Sequence, residues 1–121
     1  MLAPTNPVLA ARSAAAACRW NPAQPRYWSI AGDLALHQGH ATEAVDFYRT
    51  ATGKDPYRAA YHWRLARALA LAGGRESEAV EQLQIATSLN PTQDRYRTAL
   101  RALAENIRQP ARGLLDSPVL E

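Results

Sequence analysis

The chain has 121 residues, 47% of them hydrophobic but only 7% aromatic, and 25 of them alanine. Such a length allows one domain with a modest core, and alanine with leucine fills closely packed helices better than sheets, which favour Val, Ile, Thr and aromatic rings. A formal charge of +3 is too mild for a nucleic-acid binder, which needs a strongly basic patch or arm, and a single cysteine excludes an internal disulfide.

Residues 1–6 read as an N-terminal extension. The alanine-rich stretch from Leu9 to Cys18 follows, interrupted by Arg12 and far too short to cross a bilayer. No basic-then-apolar signal layout precedes it, so the expectation is a soluble chain with no membrane insertion. Thirteen of the fourteen basic residues are arginine. With the alanine content, that fits a bacterium of high genomic GC; composition does not fix the compartment, and a soluble chain of such a cell is expected in the cytoplasm or on the periplasmic side. Cys18, among alanines on an apolar helix face, reads as a small buried hydrophobe, because no basic cluster is present to activate its thiol.

Proline then punctuates the chain. Asn21-Pro22, Asp55-Pro56 and Asn90-Pro91 each set a capping or turn residue before a proline, and the prolines lie 34 and 35 residues apart. Equal spacing of helix boundaries marks a repeat array. Trp28, Ala31, Gly32 and Ala35 share one face of a helix over about 25–38, which Gly39 ends. Ala44, Val45, Tyr48 and Ala51 mark a second over about 42–52. The next interval repeats the plan: Tyr61, Leu65, Ala66 and Leu69, a Gly73-Gly74 break, then Ala79, Val80, Leu83 and Ala86, with Ser77 the expected N-cap. Tyr96, Leu100, Leu103 and Ile107 form one further helix. Two prolines, a glycine and no helical period make 109–121 a flexible tail, whose Gly113-Leu114-Leu115 and Val119-Leu120 can fold back over the last helix.

These residues resemble the tetratricopeptide repeat. Its pattern W-x2-L-G-x2-Y, A-x3-F, P is matched by Trp28, Ala31, Gly32, Ala35, Ala44, Tyr48 and Pro56, with departures at Ala31 and Ala35 where Leu and Tyr are usual, and again by His62, Leu65, Ala66, Leu69, Ala79, Leu83 and Pro91. The second copy lacks the Trp and the Gly and carries one extra residue, placed most simply in the Gly73-Gly74-Arg75 turn. The resemblance implies an all-α, antiparallel helix-pair solenoid of about six helices, wound as a right-handed superhelix. It divides residues 7–108 into a half repeat (7–22), repeats at 25–58 and 59–93, and a closing helix (94–108). It also implies a concave surface lined by the first helix of each pair. Those front helices carry eight arginines against three acids, and the back helices five acids against one arginine.

A basic concave face is therefore expected, formed by Arg26, Ser29, Asp33 and His37, then Trp63, Arg64 and Arg67, then Arg95 and Thr98. An exposed Trp beside arginines has the composition of an interface anchor; the alternative for Trp63 is packing against a neighbouring helix. Family members that clamp a chaperone C-terminus use groove lysines and asparagines, and this chain has no such pairing. The expected partner is a protein or peptide, for which a basic face suits acidic groups, and not a nucleic acid. No nucleophile–base motif, phosphate loop or metal-ligand cluster is present, so neither an enzyme nor a cofactor or metal is expected. Two further readings accompany the adaptor. Asp55-Pro56-Tyr57, Tyr61-His62 and Asn90-Pro91-Thr92 are similar to repeat segments of bacterial membrane enzymes of the O-antigen polymerase and ligase type. The open ends of the array, at residues 9–17 and along the last helix, can also pair with a second copy.

Overall fold

Residues 7–108 are described by a computed structural model, and over them the chain forms six helices: α1 (Pro7–Trp20), α2 (Pro25–His37), α3 (Ala41–Lys54), α4 (Ala59–Ala72), α5 (Glu76–Leu89) and α6 (Asp94–Arg108). The expectations placed on 1–6 and 109–121 lie outside the described residues. None of the described helices is long and apolar enough to cross a membrane.

Each helix packs chiefly on the next in sequence, so the pairs stack as a solenoid. The three proline turns share one hydrogen-bonding scheme. The N–H groups of Asn21, Asp55 and Asn90 close the preceding helix onto Ala17, Ala51 and Ala86, while their own carbonyls accept from Gln24, Arg58 and Gln93. The residue before each proline therefore ends a helix rather than capping the next. Gln24 takes the capping role at α2, where its side chain accepts from the Arg26 N–H and Pro25 occupies the first turn.

Gly39 (φ 82°) closes α2, with the His40 N–H bonded to Ala35 O at 2.8 Å and the Gly39 N–H to Leu36 O at 3.0 Å. That pair of bonds is the Schellman arrangement, which needs a residue of positive φ. Gly73 and Gly74 (φ 82° and 72°) make the longer second turn. Ser77 is not the cap of α5, as the sequence led one to expect. The two glycines carry the chain round so that Arg75 is the boundary residue and Ser77 falls inside the first turn. There Glu76 and Glu78 meet the positive end of the helix, and the Glu76 carboxylate accepts from the Gly74 N–H.

The core is a continuous seam of small and medium side chains. Ala44, Val45, Tyr48, Leu65, Ala66, Leu69, Ala79 and Leu83 are all buried. A smaller cluster of Ala14, Cys18 and Ala31 seats α1 on α2. Cys18 is buried as expected, and desolvation raises its thiol pKa. The two full repeats solve the same packing problem with different residues. In the first, the Trp28 indole donates to Pro22 O at 2.9 Å. In the second, the His62 ring makes the equivalent contact, Nε2 to Pro56 O at 2.7 Å, with its other nitrogen 2.7 Å from the Gln82 carboxamide. Either ring ties a front helix to the turn before it. Gly32 lies directly against the buried Tyr48 ring, where a Cβ would stand 2.5 Å from Cε1. The equivalent pair one repeat on is Ala66 with Leu83: where the large partner shrinks, the glycine gains a methyl.

Candidate protein-binding face

Helices α2, α4 and α6 share one face, and clefts run along it, among them one of about 410 Å³ lined by Asp33, His37, Arg64 and Arg67 and the two described next. The first, about 580 Å³ between α2 and α4, is polar and lined by Arg26, Asp33, Arg58 and Arg64 among others. The second, 350 Å³ between α4 and α6, is apolar, walled by Ala66, Ala70, Ala99, Ala102 and Leu103, with Trp63 and Arg67 on one side and Asn106 on the other.

The polar cleft is held by a network that reaches into the core. Tyr48 donates its hydroxyl to Asp33 Oδ1 at 2.5 Å. Arg64 sets its Nε 3.7 Å from the same oxygen and donates from Nη1 to Ser29 Oγ at 2.9 Å. Burial, then the hydrogen bond and charge of Asp33, push the Tyr48 phenol well above its ordinary pKa. A phenol raised on folding supports the fold fully below the unfolded value of about 10, and that support is lost as pH rises beyond it. Alkaline titration is accordingly expected to destabilise the intact chain more steeply above about pH 10 than it does a Tyr48→Phe variant, as read by urea denaturation across that range. Parallel curves for the two would show that Tyr48 does not carry the effect.

The sequence-selected residues divide into three groups. Ser29 is not presented to solvent: it is 2% exposed and serves as an acceptor for Arg64. Asp33 and Arg64 are largely engaged with one another, while Arg26 and His37 are exposed beside them. Trp63, Arg67 and Arg95 come together. The Trp63 ring lies 5.4 Å from that of Tyr96, so it packs on the neighbouring helix and also borders the apolar cleft. The Arg67 and Arg95 guanidinium carbons stand 6.0 and 5.8 Å from its centroid, the first from its own helix and the second from α6. Thr98 is exposed on α6 but does not line the apolar cleft.

Among the described residues, Arg49, Arg58, Arg64 and Arg97 are paired with carboxylates, whereas Arg67 and Arg95 are not. The basic excess of the front helices is therefore partly neutralised, and two of the arginines left over, Arg67 and Arg95, flank Trp63. Sequence reasoning missed the cleft itself. Its signal was present as the small residues Ala66 and Ala70 on one front helix and Ala99 and Ala102 on the next, spaced by four and three. Facing stripes of alanine leave a channel where larger side chains would close it.

Of the two open ends, α1 presents Leu9 and Trp20, 58% and 84% exposed. The exposed positions of α6 up to residue 106 are almost all polar or charged, including Arg97, Thr98, Arg101 and Glu105. A polar outer face is what a terminal helix of a repeat array needs to meet water.

Comparison with known proteins agrees with the repeat geometry. Three solved structures superpose over most of the chain. The O-GlcNAc transferase of Thermobaculum terrenum is 23% identical with a TM-score of 0.71, covering 82% of this chain but 19% of its own. The Yersinia enterocolitica type III secretion translocator chaperone SycD is 19% identical at TM-score 0.74, covering 81% and 72%. MamA is 16% identical at TM-score 0.77, covering 82% and 57%. At these identities the likeness is one of fold. No curated protein matches the chain in sequence. The sequence profile of the tetratricopeptide repeat, however, matches residues 35–103. With the two repeats in register and their turns bonded alike, the chain belongs to the tetratricopeptide repeat family.

Proposed function

We propose that this chain is a protein-interaction module that holds a peptide or protein segment on the α2/α4/α6 face. The observation that carries the reading is Trp63, half-buried at the mouth of an apolar cleft and flanked by two arginines without a carboxylate partner among the described residues. An apolar side chain of the ligand fills the alanine-walled cleft, the indole covers it, and an acidic group next to it pairs with Arg67 and Arg95. Charge sets register and on-rate, and the desolvated aromatic anchor supplies most of the affinity. The polar α2/α4 cleft extends the surface, with Arg26 and His37 at hand for further contacts.

The test uses labelled peptides carrying an aliphatic pair next to an acid, a neutral or a basic residue, titrated by fluorescence anisotropy. The acidic series is expected to bind best and to weaken with salt. Trp63→Ala combined with Arg67→Glu, shown by circular dichroism to stay folded, is expected to lose about tenfold in affinity or more. Equal binding by the variant would move the interface to another face. A second reading, a repeat segment within a larger enzyme of the O-antigen polymerase or ligase type, draws on the fact that the matching stretch is only 19% of the transferase chain.

A further inference from the structure

The apolar cleft between α4 and α6 has an occupant close at hand within the same chain. Residues 109–121 read QPARGLLDSPVLE, where an aliphatic pair followed directly by an acid occurs twice, as Leu114-Leu115-Asp116 and as Val119-Leu120-Glu121. That is the chemistry the cleft lacks. Its walls are Ala66, Ala70, Ala99, Ala102 and Leu103, and its cationic rim, Arg67 and Arg95, has no carboxylate among the described residues.

Connectivity allows the match. Asn106 lines the far end of the cleft, and α6 ends at Arg108, so the chain leaves the helix beside the cleft mouth. From Arg95 to Asn106 the helix rises about 16 Å. The seven residues from Arg108 to Leu115 span at most about 25 Å, with Pro110 and Gly113 supplying residues suited to a reversal. The outer side of α6 offers a poorer seat, because it presents Arg97, Thr98 and Arg101 rather than an apolar channel.

We propose that residues 109–121 dock in cis in the α4/α6 cleft, running back along α6, with Leu114 and Leu115 on the alanine walls and Asp116 between Arg67 and Arg95 over Trp63. The tail is then an intramolecular competitor for any ligand of that cleft, and the inference requires no external partner. Because a tethered segment acts at high effective concentration, even a weak match keeps the cleft covered until a stronger ligand displaces it.

The experiment is paramagnetic relaxation in the full-length chain. A nitroxide is attached at Ser117→Cys, and the buried native Cys18, 2% exposed and with a raised thiol pKa, is left unmodified. The expected result is loss of the Trp63 indole and Ala99 and Ala102 amide cross-peaks while those of α2 persist. Adding Leu114→Asp and Leu115→Asp is expected to restore them. Broadening that is absent, even along the chain, or strongest at Arg97 and Arg101 would overturn the proposal. So would broadening seen only when labelled and isotope-enriched copies are mixed, since the occupant would then be a second copy's tail.

Discussion

Tyr48→Ala is expected to destabilise the domain by about 4 kcal/mol, within the range for removing a fully buried ring. Tyr48 is 0% exposed and lies at a junction of three helices. Its ring packs against Gly32 of α2, and its hydroxyl binds Asp33, which pairs with Arg64 of α4. Removing the ring opens a cavity that helices held by neighbours on both sides cannot close. Tyr48→Phe keeps the ring and loses only the hydrogen bond, leaving Asp33 half-exposed and able to take water. It is expected to cost about 1 kcal/mol. Urea denaturation of both variants separates the two contributions. Equal losses would mean that the hydroxyl, and not the ring, holds the junction.

Gly32→Val is the second large effect, expected at about 3 kcal/mol. A Cβ at this position falls 2.5, 2.7 and 2.8 Å from three atoms of the Tyr48 ring. A rigid ring at full burial, tethered at its hydroxyl, has nowhere to go. Gly32→Ala isolates the cause. Helix propensity alone would favour alanine by about 1 kcal/mol, so net destabilisation must come from the clash. In a Tyr48→Leu background, which reproduces the Ala66–Leu83 pair of the second repeat, the same Gly32→Ala change is expected to become neutral or stabilising. An unchanged cost in that background would refute the clash.

That comparison also shows what the sequence could and could not disclose. The helices were legible because proline turns and apolar periodicity agree at every boundary, and even the extra residue near Gly73 was visible as a period of 35 against 34. Ser77 misled because capping propensity was weighed without the two positive-φ glycines that decide where the helix starts. The second repeat lacks the Trp and the Gly of the family pattern. The structure shows substitution in kind, with His62 taking over the bond that Trp28 makes. At the binding face, the aromatic–arginine cluster was legible because those residues are distinctive. Ser29 was misplaced because the neighbouring front helix covers it, with Arg64 of α4 donating to its hydroxyl. The cleft went unseen because a channel is defined by side chains that are too small to fill it.

The distribution of polar ties gives the array uneven stiffness. Arg64 links α4 to α2 on one face, and Arg49 links α3 to α5 through Glu78 on the other, so the two full repeats are braced across both sides. Between α6 and the helices before it, no hydrogen bond or ion pair is formed among the described residues; the contacts are apolar packing, the Trp63–Tyr96 ring pair and the Arg95 guanidinium over the Trp63 ring. Contacts of that kind slide where directional bonds would snap. The closing helix is thus a compliant end of the array, and the cleft it borders can widen or narrow to suit its occupant while the two braced repeats keep their shape.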